Sequence, residues 1–124
     1  MKKKTRGQIE AKISETMIKF EKEFMGRGPE EAKTWIFKDL ILVRLRGVLT
    51  PAEERLTKTP QGRELIKKVR RELVENARCL LEKIIFDITQ VKVKSLHTDI
   101  STKSGERIIV FTLEENLEGK LTNA

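Results

Sequence analysis

The sequence has little of what disulfide-stabilised, zinc-binding or membrane-spanning proteins need. Its 124 residues include one Cys and one His. No disulfide therefore forms within the chain, and a structural zinc site, which takes about four nitrogen or sulfur ligands, is excluded for a single copy. The longest apolar runs, "LILV" and "IIVF", have four residues each, whereas a spanning helix takes about twenty. We therefore expect a soluble, cytoplasmic protein with no metal and no cofactor.

Charged residues are abundant, whereas side-chain amides are scarce. Charged residues make up 36% of the chain and hydrophobic residues 38%, while Asn and Gln occur three times each. This composition is typical of one globular domain with a thermophile-like surface of ion pairs. The formal net charge is +7, which favours an anionic partner such as nucleic acid, a membrane surface or an acidic protein. The same charge also serves solubility alone.

The first third of the sequence predicts a helix followed by a hairpin. Thr5 and Gln8 have the spacing of a capping box, and "GRGP" from Gly26 to Pro29 ends the helix. The β-branched and aromatic run that follows is broken at "KD", so we expect strands over about residues 34–38 and 40–47. The apolar face of the helix comprises Ile9, Ile13, Met17, Phe20 and Phe24.

Two helix starts follow the hairpin. "TPAE", with Thr50 as the N-cap and Pro51 in the first turn, predicts a short helix over about residues 51–57. Thr59 and Pro60 start the main helix of roughly 28 residues, in which Gly62 is expected to cost about 1 kcal/mol relative to Ala. The expected core stripe of the main helix comprises Ile66, Val69, Leu73, Ala77, Leu80, Ile84 and Ile88.

The remaining sequence predicts a second hairpin, with strands over about residues 91–100 and 106–113 around the loop "STKSG". The fold class is therefore α+β, in the order α-β-β-α-α-β-β. We expect a four-stranded antiparallel sheet with two long helices packed on one face, and one short helix. We also expect a basic flexible arm at residues 1–6, a single domain at 7–115, and a polar C-terminal tail at 116–124 that frays.

Both faces of the predicted sheet carry apolar side chains. The segments "LILVRL" and "RIIVFTL" are apolar at odd and at even positions, and successive side chains in a strand point to opposite faces. Two long helices cover one face only, so the other face predicts a homodimer. In the third strand the apolar residues change from odd to even positions, which predicts a bulge near Lys94–Ser95. The bulge leaves Ser95, His97, Asp99 and Ser101 on one face.

Arginines are the first candidates for binding. Arg44 and Arg46 share one face of the second strand, where guanidinium groups fit carboxylate or phosphate. The same two residues can instead pair with Glu across the sheet or at a dimer contact. Arg27 in "GRGP" lies beside free backbone N–H groups that suit a small anion, or it is a solvated residue at a helix end.

The first half of the main helix is a second candidate. Its cations are Arg63, Lys67, Lys68, Arg70 and Arg71. The positive helix N-terminus adds to their field, so this segment fits an anionic partner. Together with Trp35 and Phe37 it fits a nucleic acid, although a solvated run of charge gives the same pattern.

His97 and Asp99 lie two residues apart on a strand and therefore point the same way. The pair is compatible with a general base oriented by a carboxylate, with half of a metal site, or with a polar strand end in which His97 is structural. The first two alternatives need a nucleophile or further ligands. Convergent titratable groups are too few for an enzyme, so we expect no catalytic residues.

Three motifs, "GRGP", "VRLRGVLTPAE" and "HTDIS", occur here in the order found in a small bacterial family. Over about residues 5–115 the chain resembles the family of the C component of a sodium-translocating, membrane-potential-generating system, formerly a domain family of unknown function. The resemblance implies a soluble accessory partner of a membrane cation-translocating complex that is associated with inorganic-carbon supply, with the pore in other subunits. It brings no catalytic residues, and it adds Arg107 to the candidates for a shared surface.

Three functional hypotheses remain. The first is a non-enzymatic, dimeric interaction protein that docks on or regulates a membrane complex through the basic helix half and the strand of Arg44 and Arg46. The second is a nucleic-acid-binding module, whose affinity would fall steeply with salt. The third is a sensor of a small anion or ligand, centred on Arg27, His97 and Asp99.

Overall fold

The structure is a computed structural model that describes residues 4–122. The described residues form three α-helices, four strands and one 3-10 turn. The elements are α1 (Arg6–Met25), β1 (Glu31–Phe37), β2 (Leu40–Arg46), α2 (Pro51–Leu56), α3 (Pro60–Thr89), β3 (Val93–Ser101), β4 (Glu106–Leu113) and the turn Glu118–Lys120. The predicted α+β class and the predicted element order are confirmed.

The four strands form one antiparallel sheet in the order β1-β2-β4-β3. Each hairpin pairs its own strands, and the two hairpins join through β2 and β4. These two strands carry the longest apolar runs, and they occupy the centre of the sheet, where both of their edges are paired. The turn of the first hairpin lacks glycine, and Lys38 adopts the left-handed conformation there with φ 54°.

The predicted bulge in β3 is confirmed. The pairing of β3 with β4 shifts register between Val93 and Ser95. After the shift, Leu96 and Ile100 point into the core, while His97 and Asp99 are exposed. One extra residue in the strand thus reconciles the two apolar phases of the sequence.

The core lies between one face of the sheet and the layer formed by α1 and α3. The face predicted for α1 is buried except for Phe24, which is exposed. The stripe predicted for α3 is confirmed at Ile66 and Ala77, which are buried, and at Ile84 and Ile88, which pack against the core. It is wrong at Val69, which is 47% exposed, and at Leu80, which is also exposed. The residues of α3 that are buried are Gly62, Ile66, Arg70, Val74, Ala77, Leu81 and Ile85.

α3 is rotated so that Arg70 faces the core, because Arg70 has polar partners there. It donates to the carboxylate of Glu53 and to the carbonyl of Val48. Each residue advances about 100° around a helix, so turning Arg70 inward moves Val69 out. Apolar residues occupy two adjoining stripes of α3, and the contacts of Arg70 determine which stripe faces the core.

Both ends of the described chain pack together, although the termini were expected to be loose. Thr5 caps α1 in the predicted capping box with Gln8. Leu117 is buried, and Arg6 Nη1 donates to Glu118 Oε2 at 2.9 Å. The expectation that the C-terminal tail frays is therefore wrong for residues 116–122. Residues 1–3 of the predicted basic arm, and residues 123–124 of the tail, lie outside the described residues.

Candidate interaction surface

One face of the sheet is covered by α1 and α3, and the other, here called the open face, carries the alternate residues of all four strands. Phe37 is 61% exposed and Trp35 is 41% exposed on this face, and Leu42 beside them is also exposed. The apolar residues of the open face are Trp35, Phe37, Leu40, Leu42, Ile108 and Val110. The prediction that both faces of the sheet are apolar is thereby confirmed.

The register places these side chains in rows across the strands. Trp35 pairs with Leu42, Leu42 with Val110, and Val110 with His97. Cross-strand neighbours on one face have Cβ atoms about 5 Å apart, so the row is a continuous apolar ridge that ends at the imidazole. An apolar stripe across a whole sheet is a feature of protein-binding surfaces.

Arg44 and Arg46 lie at one end of the open face. Arg44 Nε is 3.8 Å from Glu106 Oε2, and Arg46 Nε is 3.9 Å from the same oxygen. Arg46 Nη1 is also 3.8 Å from Glu31 Oε2, and the guanidinium of Arg44 lies 5.8 Å from the centre of the Trp35 ring. Both arginines therefore pair with Glu across the sheet while remaining accessible, and exposed pairs of this kind contribute at most about 1 kcal/mol.

His97 and Asp99 share the edge strand β3 on the open face, but each has its own partner. His97 Nε2 is 3.2 Å from Ser95 Oγ. Asp99 Oδ1 accepts the backbone N–H of Ile100 at 2.8 Å and lies 3.7 Å from Lys67 Nζ. Among residues 4–122 no hydrogen bond joins His97 to Asp99, and no three His, Cys, Asp or Glu side chains converge in a way that fits a metal ion.

Arg27 lies far from this pair. It follows Gly26, which ends α1 with φ 83°, and its Nη2 is 3.5 Å from Glu30 Oε1. The loop leads into β1, at the opposite edge of the sheet from β3. Neighbouring strands are about 4.8 Å apart, so roughly 14 Å separates the two edges. The three residues proposed as one sensor site are therefore not brought together.

The basic half of α3 is accessible at Arg63, Lys68 and Arg71, with Lys67 half-buried beside Asp99. Arg63 Nη1 donates to the carbonyl of Thr57 at 2.8 Å. These residues belong to the helical layer, on the other side of the sheet from Trp35 and Phe37. Basic and aromatic residues consequently do not form one surface.

Arg70 was expected on that basic surface, and this expectation is wrong because its side chain is only 2% exposed. Its Nε donates to Glu53 Oε2 at 2.9 Å, and its Nη2 donates to Glu53 Oε1 at 2.7 Å and to the Val48 carbonyl at 2.9 Å. Burial alone would raise the pKa of Glu53, but the hydrogen bonds from Arg70 and Thr50 outweigh burial and lower it. Arg70 thus ties α3 to the start of α2.

Arg107 was expected on a shared surface and is also buried, at 2% exposure. Its Nε is 3.7 Å from Glu21 Oε1, and its Nη1 donates to Thr98 Oγ1 at 3.0 Å. Glu21 of α1 is 1% exposed, and burial raises its pKa against the smaller opposing effects of Arg107 and Arg70. Burial likewise lowers the pKa of Arg107, which Glu21 partly offsets.

Glu21 was not predicted as a buried charge, although its position in the sequence indicates one. It follows Met17 by four residues and therefore lies on the apolar face of α1. Arg107 has the same parity as Ile109, Phe111 and Leu113, so it also points inward. Two opposite charges at inward positions indicate a buried pair.

One family model and two proteins of Bacillus subtilis are similar to this chain. A family model described as "Na+-translocating membrane potential-generating system (MpsC)" matches residues 5–115. The chain is 46% identical over 119 residues to the uncharacterized protein YbcI of Bacillus subtilis (strain 168), covering 96% of each chain. It is 24% identical over 110 residues to the uncharacterized protein YrhF of the same organism, covering 86% of this chain and 88% of that protein. No solved structure matches.

Proposed function

This chain belongs to the family of the Na+-translocating membrane potential-generating system (MpsC), and from that membership we propose that it is a non-enzymatic accessory protein of a membrane cation-translocating complex. In this proposal the chain docks on the complex or regulates it from the cytoplasmic side. The translocation path belongs to other subunits. No helix in the described part of the chain has the length and apolarity needed to cross a bilayer.

The observation that supports a protein-binding role is the open face. A monomer rarely leaves an apolar stripe across a whole sheet in contact with water, because burying it against a partner is favourable. The exposed Trp35 and Phe37 are of the residue types that are enriched at protein interfaces. The open face is therefore the best-supported protein-binding surface of the described residues.

We assign the open face to a second copy of the chain. The cross-strand rows next to the apolar ridge carry the charged residues of the open face, here called the charged end. These residues are Lys33, Arg44, Arg46, Glu31, Asp99 and Glu106. Three cations and three carboxylates are present, with Asp99 also paired to Lys67 of α3, so a copy related by a two-fold axis can place cations against carboxylates. A face built for a strongly acidic or basic partner has one sign in excess. Two such sheets pack about 10 Å apart with their side chains interdigitated.

Docking on the membrane complex is assigned to the exposed cations of α3. Arg63, Lys68 and Arg71 are on the helical layer, so they stay accessible when the open face is covered. Their charge fits an acidic surface of a partner protein, and such surfaces raise the rate of association. A homodimer would present this basic surface twice.

Nucleic acid is the less favoured partner. A single-stranded nucleic acid is held by cations and by aromatic rings that stack on bases along the same groove. In this fold the exposed cations of α3 and the exposed rings of β1 lie on opposite sides of the sheet.

Affinity purification of the chain from native membranes after mild chemical crosslinking tests the proposal. The wild-type chain is expected to recover an integral membrane subunit of a cation-translocating complex, and that subunit should recover the chain in the reverse experiment. The double variant Arg63→Gln and Lys68→Gln is expected to lower recovery about tenfold, because two cations leave the docking surface.

The matched control is the double variant Lys12→Gln and Lys19→Gln, which removes the same charge from exposed positions of α1. It should recover the subunit as well as the wild type does. Recovery of no integral membrane subunit, or equal losses in the two double variants, contradicts the docking proposal. Recovery of nucleic acid that is released by salt would favour the alternative.

A further inference from the structure

A small cavity lies between α3 and the second hairpin. Its volume is about 40 Å³, and four cations line it: Lys67, Arg70, Arg71 and Arg107. Thr98 and Asp99 complete the wall on the side of β3. A buried water needs about 10–15 Å³ on the same measure, so the space accepts a few waters or one small inorganic anion. A whole nucleotide or sugar phosphate is too large to be enclosed in it.

The two buried arginines in this wall have N–H donors that make no hydrogen bond. Arg70 Nη1 and Arg107 Nη2 are buried and have no hydrogen-bond partner within residues 4–122. Arg107 Nε is buried as well, and its contact is the ion pair with Glu21 at 3.7 Å. A guanidinium stays protonated and cannot accept a hydrogen bond, so only an acceptor satisfies these groups. Leaving a buried charged donor unpaired is costly.

The hydroxyl of Thr98 is not available as an acceptor for the unpaired N–H groups. Thr98 Oγ1 already accepts from Arg107 Nη1 at 3.0 Å and donates to the Ile108 carbonyl at 2.8 Å. The lining acceptor that remains is Asp99, whose side chain is 81% exposed and turned to Lys67. The Glu21 carboxylate is also buried with both oxygens unpaired, and its contact with Arg107 Nε at 3.7 Å is longer than a hydrogen bond. In this geometry the acceptor for Arg70 Nη1 and Arg107 Nη2 therefore comes from a ligand or from water.

The net charge around the cavity favours an anion over water as the occupant. Arg70 is offset by Glu53, Arg107 by Glu21, and Lys67 by Asp99. Arg71, the fourth lining cation, has no ion pair among the described residues, which leaves an excess of one positive charge around the cavity. Arg70 also lies close enough to contribute to lowering the pKa of Arg107, so the two buried guanidinium groups repel each other. A water molecule supplies an acceptor but no charge.

We propose that the cavity between α3 and the second hairpin binds one small inorganic anion of single negative charge, such as chloride or nitrate. The anion accepts from Arg70 and Arg107 at the buried end and faces Arg71 and Lys67 at the mouth. Guanidinium groups suit this task because several N–H donors converge in one plane. The site joins α3 to β3 and β4, so occupancy fixes the helical layer against the second hairpin.

The test follows thermal unfolding of the full chain at constant ionic strength while chloride or nitrate replaces gluconate, which is too large for the cavity. Binding to the folded state raises Tm with the logarithm of the anion concentration above Kd, by about 4 °C or more at a tenfold excess over Kd. A ³⁵Cl NMR line that broadens with protein and sharpens when nitrate is added reports the same site directly. Equal Tm values in chloride and gluconate overturn the proposal.

Two exposed substitutions at the mouth move affinity in opposite directions. Arg71→Gln is expected to weaken anion binding severalfold, because it removes the cation without an ion pair. Asp99→Asn is expected to tighten binding about two- to fivefold, because it removes the carboxylate that lines the cavity and keeps the acceptor for the Ile100 N–H.

Arg63→Gln is the matched control, since it removes a cation from the same helix outside the cavity. Its anion affinity should equal that of the wild type. Equal losses in Arg63→Gln and Arg71→Gln indicate screening of surface charge and overturn the site. The measurements use purified protein without membrane, so their failure leaves the docking proposal untouched.

Discussion

Glu53 accepts hydrogen bonds from the N-cap residue of α2 and from α3. Its Oε1 accepts the backbone N–H of Thr50 at 3.0 Å, which completes the capping box of α2. The same carboxylate accepts two hydrogen bonds from Arg70 of α3. Arg70 is buried, so the loss of its counter-charge leaves a cation without compensation in the core.

Glu53→Gln is therefore expected to lower the free energy of unfolding by about 2 kcal/mol at pH 7, at the low end for a buried pair because Glu53 is partly exposed. The folded-state pKa of Glu53 is below its ordinary value of 4.5, so its stabilisation is present above that pH. It disappears as pH falls through the lowered pKa. Denaturant titrations at pH 7 and near pH 3 measure the difference between the two proteins.

Two controls belong to that experiment. Gln at position 53 still caps α2, so the change isolates the contact with Arg70. Glu54→Gln removes the neighbouring exposed carboxylate and should change stability by less than about 0.5 kcal/mol. A Glu53→Gln deficit of the same size at pH 7 and at pH 3 would contradict the assigned role.

At the residue scale, the sequence predicts whether a side chain points into the core better than it predicts which residue that side chain contacts. Strand parity and helix spacing place Arg107 and Glu21 inward, and the capping box places Glu53. The pairs Arg107–Glu21 and Arg70–Glu53 depend on how elements distant in sequence pack together, and no local pattern specifies that packing. For the same reason the predicted surface included two arginines that are buried.

At the scale of elements, the junction between α2 and α3 depends on a close approach at Gly62. A Cβ atom at this position would lie 1.8 Å from the carbonyl oxygen of Leu56. Gly62 N also donates to Thr59 Oγ1 at 3.0 Å, which caps α3. The expected cost of Gly62 relative to Ala considered helix propensity alone, and the contact with Leu56 reverses its sign.

Gly62→Ala is expected to lower the free energy of unfolding by about 2 kcal/mol, because the backbone of α2 has to move. Gly7→Ala is the matched control, since Gly7 is in the first turn of α1 and a Cβ atom there meets nothing within 4 Å. That change should raise stability by about 0.5 kcal/mol. Urea midpoints measure both, and a stabilised Gly62→Ala variant would contradict the close approach.

Most elements could be predicted from the sequence because their signals are local. The capping boxes at Thr5 and Thr50, the Gly26 stop and the phase change at Ser95 each involve a few neighbouring residues. The strand order could not be predicted, because the pairing of β2 with β4 joins two hairpins across the whole of α2 and α3. The predicted core face of α3 was wrong at Val69 and Leu80, because the buried Arg70 determines how the helix is rotated.

At the scale of the whole molecule, the fold has two unlike sides. One side is a helical layer with accessible cations on α3, and the other is a bare sheet with an apolar ridge and a balanced charged end. The ridge is suited to burial against protein, and the charge balance is suited to a second copy. A protein with both surfaces can dimerise and still contact a membrane complex.

The molar mass of the chain in solution tests the central claim most directly. Sedimentation at micromolar concentration is expected to give twice the mass of one chain for the wild type, and the mass of one chain for Leu42→Lys, which places a charge in the middle of the ridge. Leu65→Lys, at an exposed apolar position of α3, should remain dimeric. Unchanged circular dichroism would show that both variants fold. A wild-type protein that sediments as one chain at this concentration would contradict the account.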